Sequence, residues 1–320
     1  MEHPERTSAT PDPAGALELL LETLRAADYH FITPTPASHA RVNARPGNAW
    51  AQDLQGIFGW SRPFSPELLP ESLIDALVAA ELLVPVPGGW RSRVRVSSLG
   101  AQLFVHSAYP TDEADAVFFG PDTYRYANAL EAQLRHETGA IRRAVDIGSG
   151  AGPGAILVAL ARPDAEVLAV DINERALGLT RINAELAGVA NVRARYSNLL
   201  KDVDGDFDFI LSNPPYLVDP GERAYRHGGG PLGAGLSLAI LDTALERLAP
   251  GGTLLLYTGV AMVDGRDPFL EEVQTRLAGS ACAWRYRELD PDVFGEELEA
   301  GVYAHTDRIA AVVLTVTRPS

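Results

Sequence analysis

Disulfide chemistry is the first thing this chain lacks. A single cysteine, Cys282, stands among 320 residues, which excludes a disulfide framework within the chain and fits a reducing cytoplasm. It falls in an apolar stretch read as a strand, where it is expected to be buried and to pack rather than react. Long apolar runs are also missing. None approaches the ~18 residues of a membrane span, and the start of the chain has no basic-then-apolar leader pattern. The expectation is a cytoplasmic protein with no membrane partner. The seven histidines are scattered and no Cys/His cluster has metal-ligand spacing, so no metal is expected. Lysine is almost absent: Lys201 is the only one. Positive charge is in deficit throughout, with a formal net charge of −15. Residues 1–120 hold 8 basic and 14 acidic side chains and the remainder 19 and 28, so neither part is a basic module. That balance argues against a broad, sequence-independent grip on nucleic acid, where phosphate neutralisation dominates affinity, without excluding a local basic patch.

What is present describes a globular protein: 46% hydrophobic and 22% charged residues, in a length that accommodates a core domain and a smaller companion. The most informative local feature is Asn213-Pro214-Pro215-Tyr216, directly after the apolar run Phe207–Leu211. By average residue usage such a tetrapeptide occurs in about one chain in a thousand of this length. The prolines lack N–H groups and fix φ, so they hold a stiff turn whose carbonyls only accept hydrogen bonds. Asn213 adds an amide oxygen and Tyr216 a flat ring. Two acceptors beside a ring suit a planar –NH2 group; an ordinary Pro-Pro turn after a strand is the alternative.

Upstream lies Val145-Asp146-Ile147-Gly148-Ser149-Gly150-Ala151-Gly152-Pro153-Gly154. An apolar strand ends near an acidic residue, and a glycine-rich turn opens a helix. Glycines permit positive φ and close approach of a ligand, and the first helical turn offers unpaired N–H groups. A second strand, Glu166–Val170, runs into Asp171, whose carboxylate is placed to accept from the hydroxyls of a ribose. Gly150-x-Gly152-x-x-Ala155 also fits a relaxed dinucleotide fingerprint, with Asp171 about 20 residues beyond. Against a nicotinamide cofactor stand the position of Asp146, where an ammonium could be held, the offset of the glycines from the strand end, and a proline corner with no role in hydride transfer.

Taken in order, Asp146-x-Gly148-x-Gly150-x-Gly152, Asp171 and Asn213-Pro214-Pro215-Tyr216 resemble the class I S-adenosylmethionine (SAM)-dependent methyltransferases that modify planar nitrogens. Within that class they most resemble the release-factor glutamine methyltransferases and the small-domain methyltransferases of ribosomal RNA. The resemblance covers roughly residues 117–320. It implies a doubly wound, mostly parallel seven-stranded α/β sheet. It implies a cofactor pocket in which Gly148, Ser149, Gly150 and Gly152 cradle the amino acid part of SAM and Asp171, with Ile172, holds the ribose. Asn198, with Leu199, stands where the family places an acidic partner of the adenine amine. Asn213 and the Pro214 carbonyl would hold the acceptor nitrogen, Tyr216 would stack on it, and Thr123 or Tyr124 would touch the cofactor from a Pro-x-Thr turn. The product would be S-adenosylhomocysteine. The favoured acceptor is a glutamine amide of a protein, a translation factor among the candidates. An adenine or guanine amine of RNA or DNA is the alternative.

The rest of the chain organises around this unit. Residues 1–13 read as a disordered tail and 14–110 as a winged-helix-like substrate-recognition domain. Residues 111–320 read as the methyltransferase domain. Ala14–Ala27 and Pro66–Ala80 have helical apolar spacing, residues 28–66 look irregular, and Leu82–Val86 and Trp90–Val96 read as a β-ribbon. Arg91, Arg93 and Arg95 alternate and are expected on one face of its second strand. Residues 97–116 read as a linker. Asp122 or Thr123 is expected to cap a helix. Strands and helices then alternate, which predicts right-handed crossovers, and Cys282–Arg287 with Ile309–Val316 form an antiparallel pair at the sheet edge. Arg226 is expected to contact substrate, and Gly228–Gly235 to form either a mobile lid over the acceptor or a loose surface loop.

Overall fold

A computed structural model describes residues 12–137, 139–223, 225–299 and 301–320. The expected tail lies almost wholly outside the described residues. The chain divides into two compact units, Met1–Thr111 and Asp112–Ser320.

The first unit begins with α1 (Pro13–Ala26), where the Asp12 side chain accepts from the Gly15 N–H and proline occupies the first turn. Leu17, Leu20, Leu21 and Leu24 recur at helical spacing and are buried, and α1 packs against α4 (Glu71–Ala79). Helix α4 is shorter than its apolar pattern suggested. Pro70 separates it from a 3-10 turn at Pro66–Leu68, since the ring disfavours helical geometry in the residue before it. The stretch read as irregular contains two helices, α2 (Pro36–Asn43) and α3 (Leu54–Phe58), capped by Thr35 and Asp53. Two hairpins follow: β1 (Leu83–Val86) with β2 (Gly89–Ser92), and β3 (Val94–Leu99) with β4 (Gln102–Ser107). Residues 97–107 are therefore sheet, not linker. The expected arginine face does not form. The chain breaks between β2 and β3, leaving Arg91 and Arg93 exposed, whereas Arg95 is buried and its Nε donates to the Gly59 carbonyl at 2.9 Å.

The second unit is an α/β sandwich around one seven-stranded sheet. Its strands are β5 (Arg143–Ile147), β6 (Glu166–Asp171), β7 (Val192–Tyr196), β8 (Phe207–Ser212), β9 (Leu248–Met262), β10 (Ala283–Asp290) and β11 (Arg308–Thr317). Their spatial order is β10-β11-β9-β8-β5-β6-β7. Only β11 runs against its neighbours, as the alternation of elements predicted. Central strands bury both faces, so adjacent residues feed opposite cores: Ala144 joins one with α5 (Pro121–His136) and α6 (Pro153–Ala161), and Val145 joins the other with α8 (Gly235–Arg247) and α9 (Pro268–Leu277). Helix α7 (Glu174–Leu186) covers β6 and β7. Cys282 sits half-buried just before β10, a largely exposed edge strand, rather than inside a buried one.

The chain leaves β5 for β6 and β7 on one side, then returns to β8 and β9 on the other. Strand order thus reverses between β5 and β8. In open α/β sheets the crevice outside such a switch point is where ligands bind.

Candidate active site

Backbone register brings the two sequence motifs together. Ile147, the last residue of β5, is paired with Val170 of β6 and with Ser212, the last residue of β8. The Ser212 hydroxyl donates to the Ile147 carbonyl at 2.6 Å and closes the pair. The glycine turn and the proline corner therefore leave neighbouring strand ends side by side.

The turn is folded against β6, with the Gly148 and Ser149 N–H groups both donating to the Val170 carbonyl. Gly148 (φ 72°) and Gly150 (φ 57°) adopt the left-handed region, and a Cβ built on either meets nothing within 4 Å. The turn thus combines a conformation that favours glycine with open space over its backbone. The Ser149 hydroxyl is buried and has no hydrogen-bond partner. Beneath the turn lies Asp146, 2% exposed, whose Oδ2 accepts from the Ala155 N–H at 2.9 Å and whose Oδ1 accepts from the Tyr126 hydroxyl at 3.4 Å. Burial pushes this carboxyl up to about 7, against the lowering effect of those two hydrogen bonds. Asp171 accepts from the Gly150 N–H at 3.0 Å on one oxygen and the Asn173 N–H at 2.9 Å on the other. Burial raises its pKa as well. Each carboxylate oxygen has two lone pairs, so Asp171 braces the turn and keeps acceptor capacity. Ile172 is exposed beside it. Asn198 is exposed, its backbone N–H directed to Asp202, and Leu199 packs on the core below.

On the acceptor side, the Asn213 side chain is half-buried and hydrogen-bonds to no described residue. Tyr216 has a different task from the stacking expected of it. It is buried, its hydroxyl donates to Asp122 Oδ2 at 2.5 Å, and Phe294 meets its ring edge-on at 5.8 Å between centroids. A Cβ on Gly259 of β9 would overlap that ring, so the glycine opens the slot in which it lies. Asp122 also accepts from the Tyr257 hydroxyl at 2.7 Å and from Arg125 at 3.2 Å. It is an anchor inside α5 rather than a cap. The turn is closed by Thr123, whose Oγ1 accepts from the Gly120 N–H. Tyr124 lies half-buried, edge-on to Phe119.

The Gly228–Gly235 segment lies packed on the proline corner. The Gly228 N–H donates to Leu217 O and the Leu236 N–H to Gly228 O, both at 2.7 Å. A Cβ on Gly233 would overlap the Tyr216 backbone. The glycines let this segment lie flush on the proline corner. Arg226, expected to reach substrate, is engaged by Asp219 and Glu297. A strap ahead of α5 ties the two sides: the Asn173 amide donates to Asp115 O, Arg175 pairs with Glu113 and Asp115, and Phe118 stacks on Tyr225. Sequence reading missed Asp122 as an anchor, Tyr257, Gly259 and this strap. None has a local signal, because each acts through a partner far along the chain.

Residues 123–263 match the family model described as "Methyltransferase small domain". Over this stretch the chain resembles a methyltransferase small domain. The match contains Thr123, the glycine turn, Asp171 and the proline corner. The domain's relatives agree with it. The chain is 34% identical over 199 residues to the release factor glutamine methyltransferase of Deinococcus radiodurans, covering 58% of this chain and 66% of that protein. It is also 34% identical over 130 residues to the ribosomal protein uL3 glutamine methyltransferase of Neisseria meningitidis, covering 37% of this chain and 43% of that protein. The chain thus spans less than two thirds of the length of these curated relatives. A solved structure from Pyrococcus horikoshii, provisionally described as a transferase, superposes with a TM-score of 0.50 at 15% identity, over 78% of this chain and 83% of that one. That likeness is one of fold. Among the described residues no His/Cys/Asp/Glu group could hold a metal ion, and no helix is long and apolar enough to cross a membrane.

Proposed function

We propose that this chain is a SAM-dependent N-methyltransferase of the cytoplasm whose acceptor is a glutamine side-chain amide of a translation protein. The observation that carries this reading is the pairing of Ile147 with Ser212. It sets an open glycine turn beside an asparagine amide with no partner among the described residues. The residues fit the cofactor. The unpartnered Ser149 hydroxyl and the bare backbone of Gly148 and Gly150 suit its amino acid portion, Asp146 its ammonium, and the spare lone pairs of Asp171 its ribose. Ile172, Asn198 and Leu199 are the residues assigned to the adenine end. When bound, SAM supplies an electrophilic methyl on a sulfonium.

The protein's part is orientation. An amide nitrogen is a poor nucleophile because its lone pair is delocalised, so the site must hold it in line with the methyl group. Asn213 Oδ1 and the Pro214 carbonyl accept its two N–H groups and favour the positive charge that develops as the bond forms. The proton leaves after transfer, and no strong base is needed.

A protein acceptor is favoured over a nucleobase by charge. Residues 213–235 and 290–308, the segments that pack around the corner, hold eight carboxylates against three arginines, a setting that repels phosphate. The names of the relatives, which specify glutamine in two translation proteins, point the same way. Residues 14–110, with a helix leading into a β-ribbon, are assigned as the winged-helix-like substrate-recognition domain.

Tritiated methyl transfer from SAM into a bacterial extract tests the reading. Label is expected in protein and to be lost on protease treatment. Label removed by ribonuclease instead would transfer the assignment to RNA, and calorimetric binding of NADH in place of SAM would end it.

A further inference from the structure

We infer that Asp122 is a positioning residue for the transfer reaction, acting through Tyr216 to fix where Asn213 stands. The inference rests on the methyl-transfer reading above. Among the described residues Asn213 has no side-chain hydrogen bond to place it. Its location is inherited from Ser212 on one side and Tyr216 on the other. Ser212 is fixed by its bond to Ile147. Between Asn213 and Tyr216 lie two prolines whose φ cannot relax, so a displacement of Tyr216 passes into Asn213 instead of being absorbed.

Tyr216 is held by three things. Gly259 opens the slot for its ring, Phe294 closes one edge, and Asp122 receives its hydroxyl at 2.5 Å. Asp122 is buried, and both of its oxygens accept hydrogen bonds. Its second oxygen takes the Tyr257 hydroxyl at 2.7 Å and Arg125 at 3.2 Å, and Arg125 continues to Asp290 at 2.8 Å. Both phenols are kept protonated by burial, followed by the charge of Asp122 itself, so both remain donors. The clamp joins the start of α5, the end of β8 and the middle of β9. Among the described residues no hydrogen bond joins it to the glycine turn or to Asp171; its nearest approach to the donor side is Tyr257 beside Tyr126, the hydroxyl partner of Asp146. Loss of Asp122 is therefore expected to disturb acceptor geometry and spare donor binding.

The test compares wild type with Asp122→Asn and Tyr216→Phe. Amide hydrogen exchange at Leu217 and Val218, which bond to Arg226 O and the Tyr303 hydroxyl, reports the corner without any acceptor. In Asp122→Asn, exchange there is expected to rise about tenfold while calorimetric SAM affinity stays within about twofold, the scale of one lost charge-assisted hydrogen bond. With release factor as acceptor, kcat is expected to fall about thirtyfold and KM to move less than about threefold, since what is lost is alignment in the transition state. Tyr216→Phe should reproduce both changes, and the double variant should be no worse than either alone. Unchanged exchange, or SAM affinity falling in step with kcat, overturns the inference. Should Asp122→Asn fail to fold, Tyr216→Phe decides by the same readings. Absence of transfer by wild type itself counts against the function proposed above, whereas the exchange contrast still decides the clamp.

Discussion

The two units differ in how the polar groups at their centres are partnered. In the first, the polar side chains at its centre bond mainly to one another: Thr33 to Ser97 at 2.5 Å, Ser97 to His106 at 2.7 Å, and His106 to the Ser107 carbonyl at 3.1 Å. His39 lies between the rings of Tyr109 and Trp60. In the second unit, Asp146 and Asp171 take backbone N–H groups and keep lone pairs in reserve, and Ser149 and Asn213 offer side chains that bond to no described residue. A closed network spends its hydrogen-bonding capacity on specifying a fold, whereas an open one leaves capacity for something else. The division is not complete, since His39 Nε2 in the first unit also has no partner among the described residues and Asp122 in the second belongs to a closed clamp; what marks the site is that its open groups follow the neighbouring ends of β5 and β8.

The sharpest way to break this contrast is to remove the open amide. Asn213→Ala is expected to lower kcat about a thousandfold, with SAM affinity by calorimetry within about threefold and a melting temperature close to wild type. Unchanged turnover would remove Asn213 from its role. Next in size is Gly150→Ala. Its left-handed backbone costs about 1 kcal/mol of stability, but its methyl enters the open cradle, so SAM affinity is expected to fall about a hundredfold, well beyond that strain. Equal losses in stability and affinity would make the turn mere structure.

A third prediction uses titration. His39 is lowered to about 4 by burial and then by the Arg95 charge. Its folded pKa lies below the unfolded value, so the stability it contributes is present above pH ~6.5 and is lost as pH falls towards 4. Asp146 is raised to about 7 by burial. Its contribution is present below pH ~4 and is lost as pH rises towards 7. Each amounts to about 3–4 kcal/mol over its window. Hydrogen exchange resolved by unit between pH 4 and 7.5 should therefore show opposite slopes, and SAM should flatten the second slope by placing a cation near Asp146. Parallel slopes would contradict the contrast. The smallest effect concerns arginines. Arg91→Ala should change stability by less than about 0.5 kcal/mol, whereas Arg95→Ala, which empties a buried bond to Gly59, should cost about 2–3 kcal/mol. Chemical denaturation of both variants measures the difference.

Much of the second unit was legible beforehand because its signals are local. A strand that buries both faces is an uninterrupted apolar run, and the glycine turn and proline corner are each contiguous. Legibility failed where partners are distant. The fate of the Tyr216 ring depends on Asp122, 94 residues earlier, and that of Arg226 on Glu297, 71 residues later. In the first unit α2 and α3 span 8 and 5 residues, too few turns for an apolar repeat to declare itself. Arg95 looked like its neighbours Arg91 and Arg93 because strict alternation was assumed across the strand interruption at Arg93.

The meeting of Ile147 with Ser212 has a consequence for how this protein can vary. The separation between the two halves of the crevice is not measured out by any side chain; it is a count of rungs along two strands. One residue inserted within β5 or β8 would slide the halves past each other by about 3.3 Å and turn every inward side chain outward. Loops at either end can lengthen or be exchanged, but the rung count is a ruler that tolerates no added mark.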